Sequence, residues 1–213
     1  MEQPVIIFGA GGMGKIALEI FQGNQVVVYG FLDDDSALHG TTIDEIPVLG
    51  ATEDQGYLKL IGKKCQAFVA EDDQKLKEDL VSMLNRNRKV MPVNGIHQNA
   101  YLSSSVGIGH GNLIQAGAVL NPQTSIGNHN ILQANCTLDY GVQIQDFVNL
   151  GAGCSIGADV KIASGVFVGA GATIVSGVTI GKYARIGAGS VVISDIDQME
   201  TVFGNPAQKV NQN

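Results

Sequence analysis

A chain of 213 residues with 45% apolar and 15% charged side chains has the composition of a soluble globular protein, with room for one large core or two small ones. Its net charge of −7 excludes a general nucleic-acid binder, which needs clustered Lys and Arg, and no apolar run reaches the roughly 18 residues that a membrane span requires. Cys65, Cys136 and Cys154 are odd in number and lack metal-ligand spacing.

The opening MEQPVIIFGAGG has no basic stretch and its apolar run stops at Gly9, which predicts no export signal and, with the cysteines, a reducing cytoplasm. Val5 to Phe8 reads as a short buried strand, and Met13 to Phe21 has helical spacing through Ile16, Leu18, Ile20 and Phe21. Between them, FGAGGMG sets Gly9, Gly11 and Gly14 in a GxGxxG pattern. Such glycines permit a tight turn and let backbone N–H groups face a phosphate at the helix N-terminus. Val26 to Leu32 reads as a second strand ending at Asp33, where a carboxylate can meet a ribose or base. Ala67 to Ala70 is a third strand. Asp72 or Asp73 then caps a helix through Leu76, Leu80, Val81 and Leu84, and a strand near Lys89 to Pro92 closes the unit. Only about ninety residues precede the next pattern, too few for the two halves of a dinucleotide fold. This favours a mononucleotide or nucleotide sugar over NAD, whose binding remains a rival reading of GxGxxG with Asp33.

From Leu102 to Val192 an Ile, Leu or Val recurs every sixth residue without a miss. Four places after most of these anchors stands a compact residue, such as Ala118, Thr124, Cys136, Val142 or Cys154. Six residues that bury one large and one small side chain make a short strand and a corner. Three such units close a triangular coil, and stacked coils make a parallel β-helix, here five coils over 102–191. Generic crossover rules favour right-handed coils, but the periodicity itself does not set the hand. The repeat stacks Cys136 and Cys154 inside the prism, a core role rather than a disulfide or catalytic one. Asn121, Asp139 and Gly157 share an outer edge, as do Pro122, Tyr140 and Ala158. His110 falls near Asn128 and Asp146, and His129 near Gly111 and Phe147. His39 and His97 lie outside the coils. None has ligand spacing, so no metal is expected.

The whole chain resembles the bacterial sugar acyltransferases typified by sialic-acid O-acetyltransferases and UDP-4-amino-sugar N-acetyltransferases. The resemblance rests on IIFGAGGMGK at 6–15, GFLDDD at 30–35, IPVLG at 46–50, IHQNAYLS at 96–103, the hexapeptide repeat, and FGNPA at 203–207. It implies a Rossmann-like α/β domain over 1–93 that binds a UDP-sugar, and a left-handed β-helix acyltransferase domain over 94–213 with a short C-terminal tail. It further implies a homotrimer holding acetyl-CoA between adjacent prisms. By position, Gly11, Gly12 and Met13 would touch the nucleotide diphosphate and Asp33 and Asp34 the uridine. Asp72 falls where the family makes a backbone contact from a glycine. Asn149, Ala170 and Ala188 match acetyl-CoA contacts.

The family's base is a histidine, usually between two acids. Asp139, Tyr140 and Gly141 occupy that place, and Asn149 replaces a second histidine. Attack of an amine or hydroxyl on a thioester sheds a proton, and a positioned base contributes about 10²–10⁴-fold. An imidazole titrates near neutrality and a phenol at roughly 10, so a tyrosine is the poorer base. A free amine needs less help than a hydroxyl. The expected activity is therefore acyl transfer from acyl-CoA to an amine or hydroxyl of a sugar or nucleotide sugar in glycan precursor synthesis. Asp139 and Tyr140 are the candidate catalytic pair, and the alternative is a non-catalytic relative that binds nucleotide sugar or CoA.

Overall fold

The computed structural model describes residues 3–210 and divides the chain into two compact units, Met1–Gln98 and Asn99–Asn213. In the first, β1 (Val5–Phe8), β2 (Val28–Leu32), β3 (Thr42–Ile43), β4 (Ile46–Gly50) and β5 (Gln66–Val69) form one sheet in the order β3-β4-β2-β1-β5. The strands are parallel except for β3, which pairs antiparallel to β4. β1 is wholly buried because it is central and covered on both faces, which explains its unbroken apolar run. Helix α1 (Gly12–Gly23) turns Ala17, Leu18, Ile20 and Phe21 inward, with Phe21 edge-on to Phe68 at 5.3 Å. Helix α3 (Gln74–Arg88) is capped by Asp73, whose carboxylate accepts from Leu76 N at 2.8 Å. A single turn, α2 (Gln55–Leu58), lies between β4 and β5.

The predicted strand over 89–92 does not form. Lys89 ends α3 in the left-handed conformation and Pro92 lacks a donor, so the segment makes one ladder-like bond, Val93 N to Ala67 O at 2.9 Å. The β3–β4 hairpin was not legible as a strand pair. Its turn is Asp44–Glu45, both at positive φ (44° and 68°), where the sequence shows neither the Asn nor the Gly that normally marks such a turn.

The second unit is a left-handed parallel β-helix. Sixteen two-residue strands run from Tyr101–Leu102 to Val191–Val192, each ending on a predicted anchor, and each pairs with the strand 18 residues away. All anchors from Ile114 onward are buried, while Leu102 and Ile108 of the first coil are half-buried. Three faces result. Face one carries the strands from Tyr101–Leu102 to Val191–Val192, and face two those from Gly107–Ile108 to Thr179–Ile180. Face three carries Leu113–Ile114 to Arg185–Ile186, extended by Thr201–Phe203 and the antiparallel Gln208–Lys209.

The corners obey a rule of their own. Three residues after the anchors from Ile108 to Ile186, the backbone takes positive φ, from Gly111 through Gly189. Glycine fills most of these corners, but Gln123, His129, Asn135, Phe147, Asp159 and Tyr183 accept the same φ of about 60°. The interior is also less uniformly apolar than the anchors suggest. Asn112 and Asn130 occupy compact positions, fully buried, and form a ladder. Asn112 Oδ1 accepts from Asn130 N at 2.9 Å, and Asn130 Oδ1 from Val148 N at 2.7 Å. Cys136 and Cys154 are buried free thiols that donate to Gly151 O and Gly169 O. The neighbouring Cys154 thiol and burial push the Cys136 thiol up, so it stays protonated.

Candidate functional site

The glycine pattern has two distinct physical causes. Gly9 has φ of +101°, and a Cβ there would strike the Ala70 carbonyl at 2.9 Å and the Glu71 carboxyl. A Cβ on Gly14 would strike the Gly9 carbonyl. These two glycines are therefore required by packing. Gly11 and Gly12 face open space, and Gly11 is the N-cap of α1 without any side-chain cap. The N–H groups of Gly11, Gly12 and half-buried Met13 have no acceptor among the described residues, so the helix offers orphan donors and the positive end of its dipole to an anion.

The acids beyond β2 accept hydrogen bonds from their own and neighbouring loops. Asp33 accepts from Ala10 N at 2.7 Å and from Asp35 N at 2.8 Å, so its carboxylate ties the Gly-rich loop to the turn after β2. Asp34 accepts from Thr52 N at 2.8 Å and from the Thr52 hydroxyl. His39 Nε2 reaches the Asp33 carbonyl at 2.8 Å. Asp72 is exposed at the start of α3. Glu71 and Lys77, which carry no sequence motif, stand beside it. Burial, reinforced by Asp33, Asp72 and Asp73, pushes the Glu71 carboxyl up to about 7. Burial also pulls the Lys77 ammonium down to about 7, against the attraction of Asp72 and Glu71.

In the β-helix, Asp139 and Tyr140 stand on the edge between faces one and two, as the repeat predicts. Asp139 Oδ1 accepts from Tyr140 N at 2.7 Å, and the Tyr140 hydroxyl, on a ring 45% exposed, donates to Gln123 Oε1 at 2.7 Å. The phenol proton is thus directed at Gln123 while the oxygen's lone pairs remain available. Beside this edge a groove of about 500 Å³ runs up face one, lined by Asn121, Thr137, Asp139, Ser155, Thr173 and Ser176. Asn149 lies on face three, its Oδ1 buried without a hydrogen-bond partner among the described residues. Ala170 and Ala188 are exposed on the corner between faces three and one, in stacked Gly-Ala-Gly triplets. Cβ atoms on Gly151 or Gly169 would strike the backbone of the next coil, which explains the small residues, and the Ala170 and Ala188 N–H groups find no acceptor among the described residues. One prism therefore does not gather these groups. Tyr140 and the two alanines flank face one on opposite edges, with Tyr140 two coils below Ala170, a step of roughly 10 Å at strand spacing.

Among the described residues no group of three or more His, Cys, Asp and Glu is placed to hold a metal, and no helix is long and apolar enough to cross a membrane. Residues 4–84 match the PglD N-terminal domain, and residues 160–194 match the bacterial transferase hexapeptide of six repeats. No curated protein matches the chain. PerB from Caulobacter crescentus, solved with CoA and GDP-perosamine, is 30% identical, with 99% of each chain covered and a TM-score of 0.74. A histidine-to-asparagine variant of perosamine N-acetyltransferase from the same organism, solved with the same two ligands, is 28% identical with a TM-score of 0.91, over 100% of this chain and 99% of that one. The acetyltransferase domain of PglB from Neisseria gonorrhoeae shares the fold at 24% identity and a TM-score of 0.89, over 99% of this chain and 100% of that one.

Proposed function

We propose, for a chain that belongs to the hexapeptide-repeat sugar acyltransferases with a PglD-type N-terminal domain, that it transfers an acetyl group from acetyl-CoA to an amine of a nucleoside-diphosphate sugar. What carries this reading is that an uncapped helix N-terminus and an open Gly-Ala corner occur in one chain paralleling, over 99% of its length, a protein crystallised with CoA and GDP-perosamine. The diphosphate rests on Gly11, Gly12 and Met13, with Asp33 and Asp34 holding the surrounding loops and Asp72 at the rim. CoA runs along Ala170 and Ala188, whose N–H groups suit the amide carbonyls of its pantetheine arm. The buried Asn149 Oδ1 accepts an N–H from ligand or neighbour.

In the reaction the sugar amine attacks the thioester carbonyl, a C–N bond forms, the C–S bond breaks and CoA leaves as its thiol. The nitrogen must lose a proton. Tyr140 orients the amine by accepting one of its N–H bonds, since its own proton is given to Gln123. Asp139 keeps Oδ2 open, takes the proton from the tetrahedral adduct, whose cationic N–H is a strong acid, and passes it to the departing sulfur of CoA. Because the two edges of face one each carry part of this set, a neighbouring prism completes the site, and the assembly is a homotrimer. It acts in the cytoplasm on precursors of bacterial glycans.

The Tyr140–Gln123 bond also favours a second reading, a binder of nucleotide sugar and CoA without turnover. Calorimetry with UDP, GDP, NAD and acetyl-CoA, followed by thiol release in the presence of UDP- and GDP-linked 4-amino sugars, tests both. Binding of CoA and one nucleotide with thiol release supports transfer. Binding without release supports the scaffold, and NAD binding without CoA binding sinks both.

A further inference from the structure

The crossover from β1 through α1 leads to β2 on one side of the sheet, while β5 lies on the other side of β1, so the loops leaving β1 and β5 part at their carboxyl ends. Open α/β sheets take ligands in that crevice. Glu71 stands in it, two residues beyond β5, with its carboxyl against Gly9, the first residue of the Gly-rich loop. Two residues span at most about 7 Å, so this carboxyl lies a short step from the orphan N–H groups that begin at Gly11. Neither a hydrogen bond nor an ion pair engages it among the described residues.

Its surroundings are acidic. Asp33 faces it from the end of β2 and Asp72 and Asp73 from the start of α3, with Lys77 of α3 the cation among them, and the Gly-rich loop adds no charge. Lys77 is only 4% exposed, and no carboxylate among the described residues lies within ion-pair distance of it. A site built for an anion thus has an unengaged carboxyl at its floor and, behind it, a largely buried lysine with no carboxylate at ion-pair distance among the described residues.

We infer that Glu71 binds the nucleotide sugar as its neutral acid, donating its O–H to a diphosphate oxygen, so that binding to the ionised form of the protein draws one proton from solvent. This rests on the nucleotide-sugar reading above. The diphosphate of a sugar nucleotide carries two negative charges that do not change between pH 6 and 8.5, and an ionised Glu71 beside the Gly-rich loop would repel them. The elevated position of the Glu71 carboxyl, about 7, makes the neutral acid accessible at physiological pH. The sign follows. Below pH 7 the proton is already in place and affinity is flat. Above it the carboxylate must be protonated for binding, and affinity falls by up to about tenfold per pH unit.

The test is calorimetry on the full chain with UDP-N-acetylglucosamine and GDP-mannose as probes, at pH 6.5 and 8.5, in two buffers of different ionisation heat. For the probe that binds, the expected result is a loss of about ten- to thirtyfold in affinity over that range, with proton uptake approaching one per site at the higher pH. Glu71→Gln should bind at pH 8.5 as tightly as the parent at pH 6.5, without proton uptake. A parent that binds with no pH slope overturns the inference while the nucleotide reading stands. So does Glu71→Gln retaining the slope, which would transfer the titration to Lys77. No binding of either probe at either pH overturns both. Carbon-13 NMR of the ligand-free parent gives an independent arm: Glu71 titrating in the ordinary carboxylate range would sink the inference whatever the variant does.

Discussion

Removing the Asp33 carboxylate should loosen the Gly-rich loop before it removes any ligand contact. In Asp33→Ala two backbone donors lose their acceptor. They are not equivalent. Asp35 is exposed and water replaces its partner cheaply, whereas Ala10 is 3% exposed and its N–H is left buried and unsatisfied. An unsatisfied buried donor costs about 1–3 kcal/mol, and the lost charge-assisted bond at the exposed end adds roughly a further 1, for a total of about 2–4 kcal/mol. In a unit of this size 1 kcal/mol moves the midpoint by about 4–8 °C, so the first unit should melt about 8–32 °C lower while the β-helix is unaffected. Asp33→Asn keeps one acceptor oxygen but turns an NH₂ toward one of the two donors, and should fall between. Urea titration with separate probes for each unit measures the loss, and calorimetry with the preferred nucleotide should show weakening of about tenfold or more while CoA binding is unchanged. If Asp33→Ala keeps the parent's midpoint yet abolishes nucleotide binding, the carboxylate reads the ligand directly and the loop-clamp reasoning is refuted.

Tyr140→His should raise kcat/KM on an amino-sugar acceptor by about 10- to 10³-fold, the lower part of the general-base range, because the surroundings were not selected for an imidazole. Equal rates for parent, Tyr140→His and Tyr140→Phe would show that the side chain at this position neither orients the amine nor can serve it as a base. Gly141→Glu, which would bring the family's flanking acid, should instead destabilise the prism by more than about 1 kcal/mol in a denaturation experiment, since Gly141 has φ of +69° and a Cβ there meets the Asp159 carboxyl. Light scattering should find a trimer at micromolar concentration, and a stable monomer would leave the two edges of face one without a partner. Cys136 and Cys154 should resist alkylation until the protein is denatured, and rapid labelling of the native chain would contradict their place inside the coils.

The β-helix was readable because a period of six is rigid: once Leu138 and Ile144 point inward, every other anchor is assigned, and with it the edge that carries Asp139 and Tyr140. What remained hidden had no periodic signature. Asn112 and Asn130 sit where small apolar residues are expected, and only a ladder of side-chain to backbone bonds makes them tolerable there. Phe147 and Tyr183 accept left-handed corners that a residue-by-residue reading would reserve for glycine. In the first unit the glycines were located but not sorted, since only packing distinguishes Gly9 and Gly14, which exclude a side chain, from Gly11 and Gly12, which do not. Asp33 and Asp34 were visible as acids, but their donors, Ala10 and Thr52, come from other loops. Glu71 and Lys77 carry no motif, and what is unusual about them arises from burial at a sheet edge, which the chain's order does not display.

The threefold cross-section gives the prism a unit of length. Excising six residues, such as 155–160, would keep every later anchor pointing inward and every corner at its left-handed place, so the chain should still fold and melt cooperatively. It would nevertheless rotate everything downstream by one face, carrying Ala170 and Ala188 off the corner they share with face one. Excising eighteen restores the alignment one storey lower. Core and site therefore read the same ruler at different graduations, six for the core and eighteen for the site. Insertions and deletions that the hydrophobic interior cannot detect would be caught only by the chemistry on the outer edges.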